Sequence, residues 1–151
     1  MDVVPVVAGR PPINRAVARL AAAGMIRLIE SPSSCRDILA TAGYTLLPIR
    51  HGSGTRLKVL EALAAGVVVI ATGRAVEGLG LVDGTHYVRA ETPGEMAKRL
   101  TELLRNSDAA KRIARNGRRF VIDNYTREVI GQAISQALVE ARRSPASAAA
   151  A

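Results

Sequence analysis

Four short β-like apolar runs punctuate the chain, Val3 to Ala8, Met25 to Ile29, Tyr44 to Ile49 and Val67 to Ala71, with helix-like segments between them. Such alternation predicts β–α units whose strands lie parallel. A strand that is apolar at every position, as in VVVIA at residues 67–71, suits a sheet covered by helices on both faces rather than one with a wet side. The intervening segments, Ile13 to Ala23, Ser34 to Ala42 and Arg56 to Ala65, run into Gly24, Gly43 and Gly66. Glycine is the residue that most readily takes the left-handed conformation just past a helix end, so each is read as a helix stop.

After Thr72 the pattern changes. The stretch GRAVEGLGLVDG reads as a loop, followed by a short strand from His86 to Ala90. Thr92, Pro93 and Glu95 then combine a capping hydroxyl, a proline at the first helical position and a carboxylate three residues after the cap, which predicts a helix from Pro93 to Arg105. Ser107 and Thr126 are further caps, opening helices near Asp108 to Asn116 and near Arg127 to Arg142. The expected organisation is a single Rossmann-like α/β domain over residues 1–142 with a helical C-terminus. The Ala-rich tail 143–151 lacks apolar periodicity and is expected to be disordered.

Composition narrows the possibilities. At 151 residues, 48% hydrophobic and 23% charged, the chain can bury one sizeable core. No apolar run approaches the roughly 20 residues of a membrane helix, and the start has neither the basic region nor the cleavage site of a signal peptide, so a cytoplasmic location is expected. Cys35 is the only cysteine, which excludes an internal disulfide and a cysteine-based metal cluster and suggests a buried or inert thiol. The net charge of +8 points to an anionic partner: phosphate groups, nucleic acid or an acidic membrane surface. Aromatic residues are only 3% of the chain and are scattered, so no stacking platform for bases exists and nucleic acid is the weaker option.

The richest chemistry lies in RHGSGTRLKVLEALAAG, residues 50–66, where a strand ends and a helix begins. Ligands of open parallel sheets sit beyond the carboxyl ends of the strands, and a glycine turn there lets a phosphate approach the free N–H groups of a helix start. Gly52 and Gly54 supply that turn. Arg56 and Lys58 fall in the first turns of the helix, where a cation opposes the macrodipole unless an anion joins them. Glu61 lies three residues after Lys58 on the same helix side, placed to accept from vicinal ribose hydroxyls. The spacing is neither a Walker A sequence nor GxGxxG, and alone it is equally a turn followed by a solvated helix face.

The segment from Leu46 to Val88, LLPIRHGSGTRLKVLEALAAGVVVIATGRAVEGLGLVDGTHYV, strongly resembles the donor-binding core of group 1 (family 4) glycosyltransferases with the B-type two-domain fold. The resemblance extends from Val3 to about Tyr125, taking in VVAGRPP, LLRN, RRF and NYT. It implies that Gly52, Ser53, Gly54, Thr55, Arg56 and Lys58 hold the diphosphate of a nucleotide sugar. It implies further that Glu61 binds the ribose and that the loop carrying Glu77 and Gly78 borders the sugar or phosphates. A retaining, metal-independent transfer without a cofactor follows from the same likeness. The chain also departs from the family: Ser53 stands where many relatives carry the first of two glutamates, and Val68 where a proline is usual. The acceptor-binding domain and a first βα unit that precede this region in relatives are expected to be missing, which leaves a non-catalytic nucleotide-sugar-binding module as the alternative.

Lys111, Arg112, Arg115, Arg118 and Arg119 form a basic set at helical spacing. It is read either as a solvated face or as a peripheral contact with anionic lipid at the inner face of the membrane. In the final helix Val129, Ala133, Ile134, Ala137 and Leu138 make an apolar stripe suited to the sheet or to an absent domain. His51 and His86 are too isolated for a metal site and are assigned surface or loop roles, His51 within reach of the sugar.

Overall fold

The computed structural model describes residues 3–51 and 56–143, which fall into two compact units, Met1–Thr41 and Ala42–Ala151. In the first unit the strands β1 (Val6–Gly9) and β2 (Arg27–Glu30) pair in parallel, Val6 opposite Arg27. Helix α1 (Arg15–Ala22) joins them, and α2 (Arg36–Ala40) follows β2. Asn14 opens α1, its side chain accepting the N–H of Ala16 at 2.8 Å. Gly24 closes it as expected: at φ 69° it donates to the carbonyl of Ala21 while Met25 donates to Leu20, the paired bonds of a Schellman stop. Gly43 does not act this way. The second helix already ends at Ala40, and Gly43 has no left-handed φ.

The second unit carries a parallel sheet in the order β3 (Tyr44–Leu47), β4 (Val68–Ala71), β5 (Val88–Arg89). Tyr44 faces Val68, and Ile70 faces Val88. All residues of β4 are buried. Because successive side chains of a strand point to opposite faces, β4 is covered on both, as its unbroken apolar sequence predicts. Helices α3 (Leu57–Ala64), α5 (Pro93–Arg105) and α6 (Ser107–Tyr125) pack on β4. Their apolar faces, with Val59, Leu63, Met96, Leu103 and Ile113, join Val69 and Ile70 in the core, each large side chain contributing about 1.5–3 kcal/mol. Helix α3 stops at Gly66, φ 76°, with the same paired bonds, Gly66 to Leu63 and Val67 to Ala62.

The glycine-rich stretch read as a loop contains a short helix, α4 (Gly73–Val76). Thr72 creates it: the hydroxyl accepts the N–H of Ala75 at 3.2 Å and donates to the carbonyl of Ile49. Four residues show no periodicity, so the pattern could not reveal it. Helix α5 opens as predicted. Thr92 accepts from the N–H of Glu95, but the Glu95 carboxylate takes the N–H of Glu91, one residue before the cap. Asn106, not Ser107, caps α6, and α6 runs past Asn116 to Tyr125 because Gly117 lies inside it, at a crossing with the carbonyl of His86.

Helix α7 (Arg127–Arg143) packs on α6 and leaves Ile130, Ile134 and Leu138 exposed. Of the tail 143–151, Arg143 closes α7 and the rest lies outside the described residues. The basic set on α6 is exposed, with Arg119 paired to Asp123 at 2.8 Å. Cys35 is exposed rather than buried, at the start of the short α2.

His86 has a structural part. It is half-buried, its ring 4.6 Å from that of Phe120, and its Nδ1 accepts the N–H of Val82 at 3.1 Å. Burial lowers its pKa from 6.5, and accepting that bond requires an unprotonated Nδ1. Between the lowered value and 6.5 the unfolded chain therefore binds more protons than the folded one. The contribution is complete above 6.5 and is lost as pH falls through the folded value. Thermal melting from about pH 7 to about pH 5 should show a falling Tm that His86→Gln makes shallower. Identical slopes for the two proteins would contradict this role.

Candidate functional site

The carboxyl ends of β3, β4 and β5 bring one group of polar residues to the same edge of the sheet. From β3 the chain passes through Arg50 and His51 to Arg56, the N-cap of α3. Gly52, Ser53, Gly54 and Thr55 lie outside the described residues. From β4 it passes into α4 and the bend at Glu77 and Gly78, where Gly78 has φ 79°. From β5 it reaches Arg89 and Glu91.

Arg56 and Glu77, which the sequence placed in different segments, meet here. Arg56 Nη2 lies 3.8 Å from Glu77 Oε2, and the Arg56 side chain is only 10% exposed. The same oxygen accepts a hydrogen bond from Arg74 Nη1 at 2.6 Å. Lys58 and Glu61 occupy the exposed side of α3, opposite the buried Val59, Ala62 and Leu63. Among the described residues neither has an ion-pair partner. An ammonium, a carboxylate and a guanidinium thus stand within the first turns of α3, whose amino end carries the positive pole of the helix.

A second polar group braces this edge. Glu91 Oε1 accepts from the N–H of Gly73 at 3.1 Å and from Arg89 Nε at 2.6 Å. The Gly73 bond above all, then the Arg89 bond and the charges of Arg89 and Arg50, hold the Glu91 carboxyl below its ordinary range. Asp83 Oδ1 accepts the N–H of Arg89 at 2.7 Å. A Cβ on Gly73 would stand 3.0 Å from Arg89 Nη2 and 3.2 Å from Glu91 Oε1, so these exposed side chains would have to give by a few tenths of an ångström to admit it.

Arg50, Arg74, Arg89 and Glu91 join the site only in the folded chain. One signal was available for Arg74, which stands just beyond the carboxyl end of the most apolar strand. For the Arg89–Glu91–Gly73 contacts only the strand register could tell. His51 is exposed on the same edge, and His86 belongs to the packing already described. Among the described residues no three His, Cys, Asp or Glu side chains gather in a way that could hold a metal ion, and no helix is long and apolar enough to cross a membrane.

Comparison with known proteins gives the arrangement its context. Residues 15–136 match the model of a family described as glycosyl transferase-like. A Klebsiella pneumoniae relative, an uncharacterized 44.6 kDa protein of the cps region, is 31% identical over 102 residues, 66% of this chain and 26% of its own length. Among solved structures, the Anabaena protein Alr3699/HepE in complex with UDP superposes with a TM-score of 0.78 at 15% identity, over 91% of this chain and 41% of that one. The same Anabaena protein in complex with UDP-glucose gives 0.69 at 16% identity, with the same coverage of both chains. The C-terminal domain of LpcC, a group 1 glycosyltransferase family protein of Francisella tularensis, gives a TM-score of 0.61 at 24% identity over 74% of this chain and 60% of that domain. The chain therefore spans about a quarter of the curated relative and well under half of the Anabaena protein. The fold is that of C-terminal domains of B-type glycosyltransferases.

Proposed function

The chain belongs to the glycosyl transferase-like family, and from that premise we propose that it binds the nucleotide-diphosphate sugar donor of a retaining, metal-independent glycosyl transfer. The observation that carries this reading is the meeting of Arg56 and Glu77 beside the start of α3, with Lys58 and Glu61 exposed on the same helix. In this reading Arg56 and Lys58, with the amino end of α3, take the diphosphate, and Glu61 takes the ribose hydroxyls. The bend at Glu77 and Gly78 borders the phosphates and the sugar, and Gly52, Ser53, Gly54 and Thr55 are assigned to the phosphates as well.

When the bond between the sugar's anomeric carbon and the distal phosphate oxygen breaks, negative charge grows on the departing diphosphate. Fixed cations and helix amides facing that charge need no reorganisation, which is how an oxyanion hole lowers a barrier. These charges do the work a divalent ion would do elsewhere. An acceptor-binding domain beyond these residues completes the reaction. The Anabaena neighbour is seen with UDP and with UDP-glucose, so uridine nucleotides are the first donors to try.

Lys58→Gln tests the phosphate assignment. By titration calorimetry it should weaken UDP roughly fivefold, the value of one exposed charge-assisted contact, while uridine binding stays unchanged. Equal losses for the nucleotide and the nucleoside would remove Lys58 from the phosphate site.

A further inference from the structure

Two guanidiniums from different segments lie against a single carboxylate oxygen: Arg74 Nη1 at 2.6 Å and Arg56 Nη2 at 3.8 Å from Glu77 Oε2. One carboxylate thus serves both guanidiniums. Arg74 and Glu77 are about half exposed, which opens the cluster to solvent, while Arg56 is nine-tenths buried. A guanidinium so far removed from water gains more from an anion than an exposed one does. Its planar fork of donors accepts a carboxylate or a phosphate with the same geometry.

The carboxylate that fills this position is held by little else. Glu77 stands just past the end of α4, with extended ψ of 131°, and is followed by the left-handed Gly78. Moving its side chain away unwinds no helix and uncovers no core. A diphosphate carries more charge than a carboxylate and offers more oxygens to the same donors.

Resting on the nucleotide-diphosphate reading above, we propose that Arg74 is a further diphosphate-binding residue, and that Glu77 is the resident counter-ion of Arg74 and Arg56, displaced when the ligand's phosphates enter. Glu77 then acts on donor binding through the arginines, as a competing anion.

Titration calorimetry of the full chain with inorganic pyrophosphate, UDP and uridine tests this, using the wild type, Arg74→Gln, Arg74→Lys and Glu77→Gln, with the melting temperature of each variant taken alongside. Arg74→Gln should weaken pyrophosphate and UDP about tenfold and leave uridine unchanged, and Arg74→Lys should recover part of the loss. Glu77→Gln should bind pyrophosphate and UDP about threefold more tightly or better, because the competing charge is gone. Wild-type UDP affinity in a folded Arg74→Gln, or weakened UDP binding in a folded Glu77→Gln, overturns this proposal and leaves the roles of Lys58 and Glu61 standing. If Arg74→Gln does not fold, Glu77→Gln decides by itself. A wild type that binds neither UDP nor pyrophosphate overturns the proposal together with the reading beneath it.

Discussion

Gly117→Ala should lower the stability of the chain by about 2–3 kcal/mol, a fall in Tm of roughly 10 °C. The sign is opposite to the usual one. Inside a helix, alanine is favoured over glycine by about 1 kcal/mol, and Gly117 lies well inside α6. A Cβ there, however, would stand 2.6 Å from the carbonyl oxygen of His86 and 2.6 Å from Cδ2 of Leu63. Leu63 can change rotamer at some cost, but the carbonyl is backbone and can retreat only by moving the segment that leads into β5. That movement would disturb the His86 bond to Val82 and the Asp83 bond to Arg89. Gly131→Ala is the natural control, since nothing lies within 4 Å of a Cβ at that position in α7, and it should be neutral or mildly stabilising. An unchanged or raised Tm for Gly117→Ala would mean that α6 does not cross the loop this closely.

The largest effect on binding is expected from Glu61→Ala. An ionised carboxylate accepting from two vicinal hydroxyls makes a pair of charge-assisted bonds, worth about 2–3 kcal/mol together at a solvent-open site. The affinity for UDP should therefore fall roughly 30- to 150-fold. The loss should be as great for uridine as for UDP, because the ribose is common to both, which separates Glu61 from Lys58. Folding should be untouched. The Glu61 side chain is exposed on α3, with no ion-pair partner among the described residues, so its removal breaks no internal contact. Unaltered affinity in the folded variant would end its assignment to the ribose.

How far the sequence could be read depended on whether the determining contacts were local. The burial of β4 was legible because an unbroken apolar run leaves no face for water, and the ends of α1 and α3 were legible because Gly24 and Gly66 take the φ that other residues avoid. Gly43 followed the same rule on paper and failed, since α2 ends earlier. The sequence pattern stops α6 near Asn116, short of its end at Tyr125, for a related reason. Gly117 and its polar neighbours look like a stop, yet the glycine is there to let two backbones approach.

At the candidate site the start of α3 was readable from residues adjacent in sequence. The approach of Arg74 and Arg56 to Glu77 required α4, which is too short to have a period. The bond from Gly73 to Glu91 required the register that sets Ala71 beside Arg89. That register is a property of the assembled sheet, and no local pattern encodes it.

Amide chemical shifts of the isotope-labelled chain, followed while UDP-glucose is added, ask most directly whether a diphosphate settles at the start of α3. Saturable shifts centred on residues 56–61 and 73–79, with α7 silent, are the predicted result. Saturation with the shifts confined to other segments, or no shift at any ligand concentration, would contradict it.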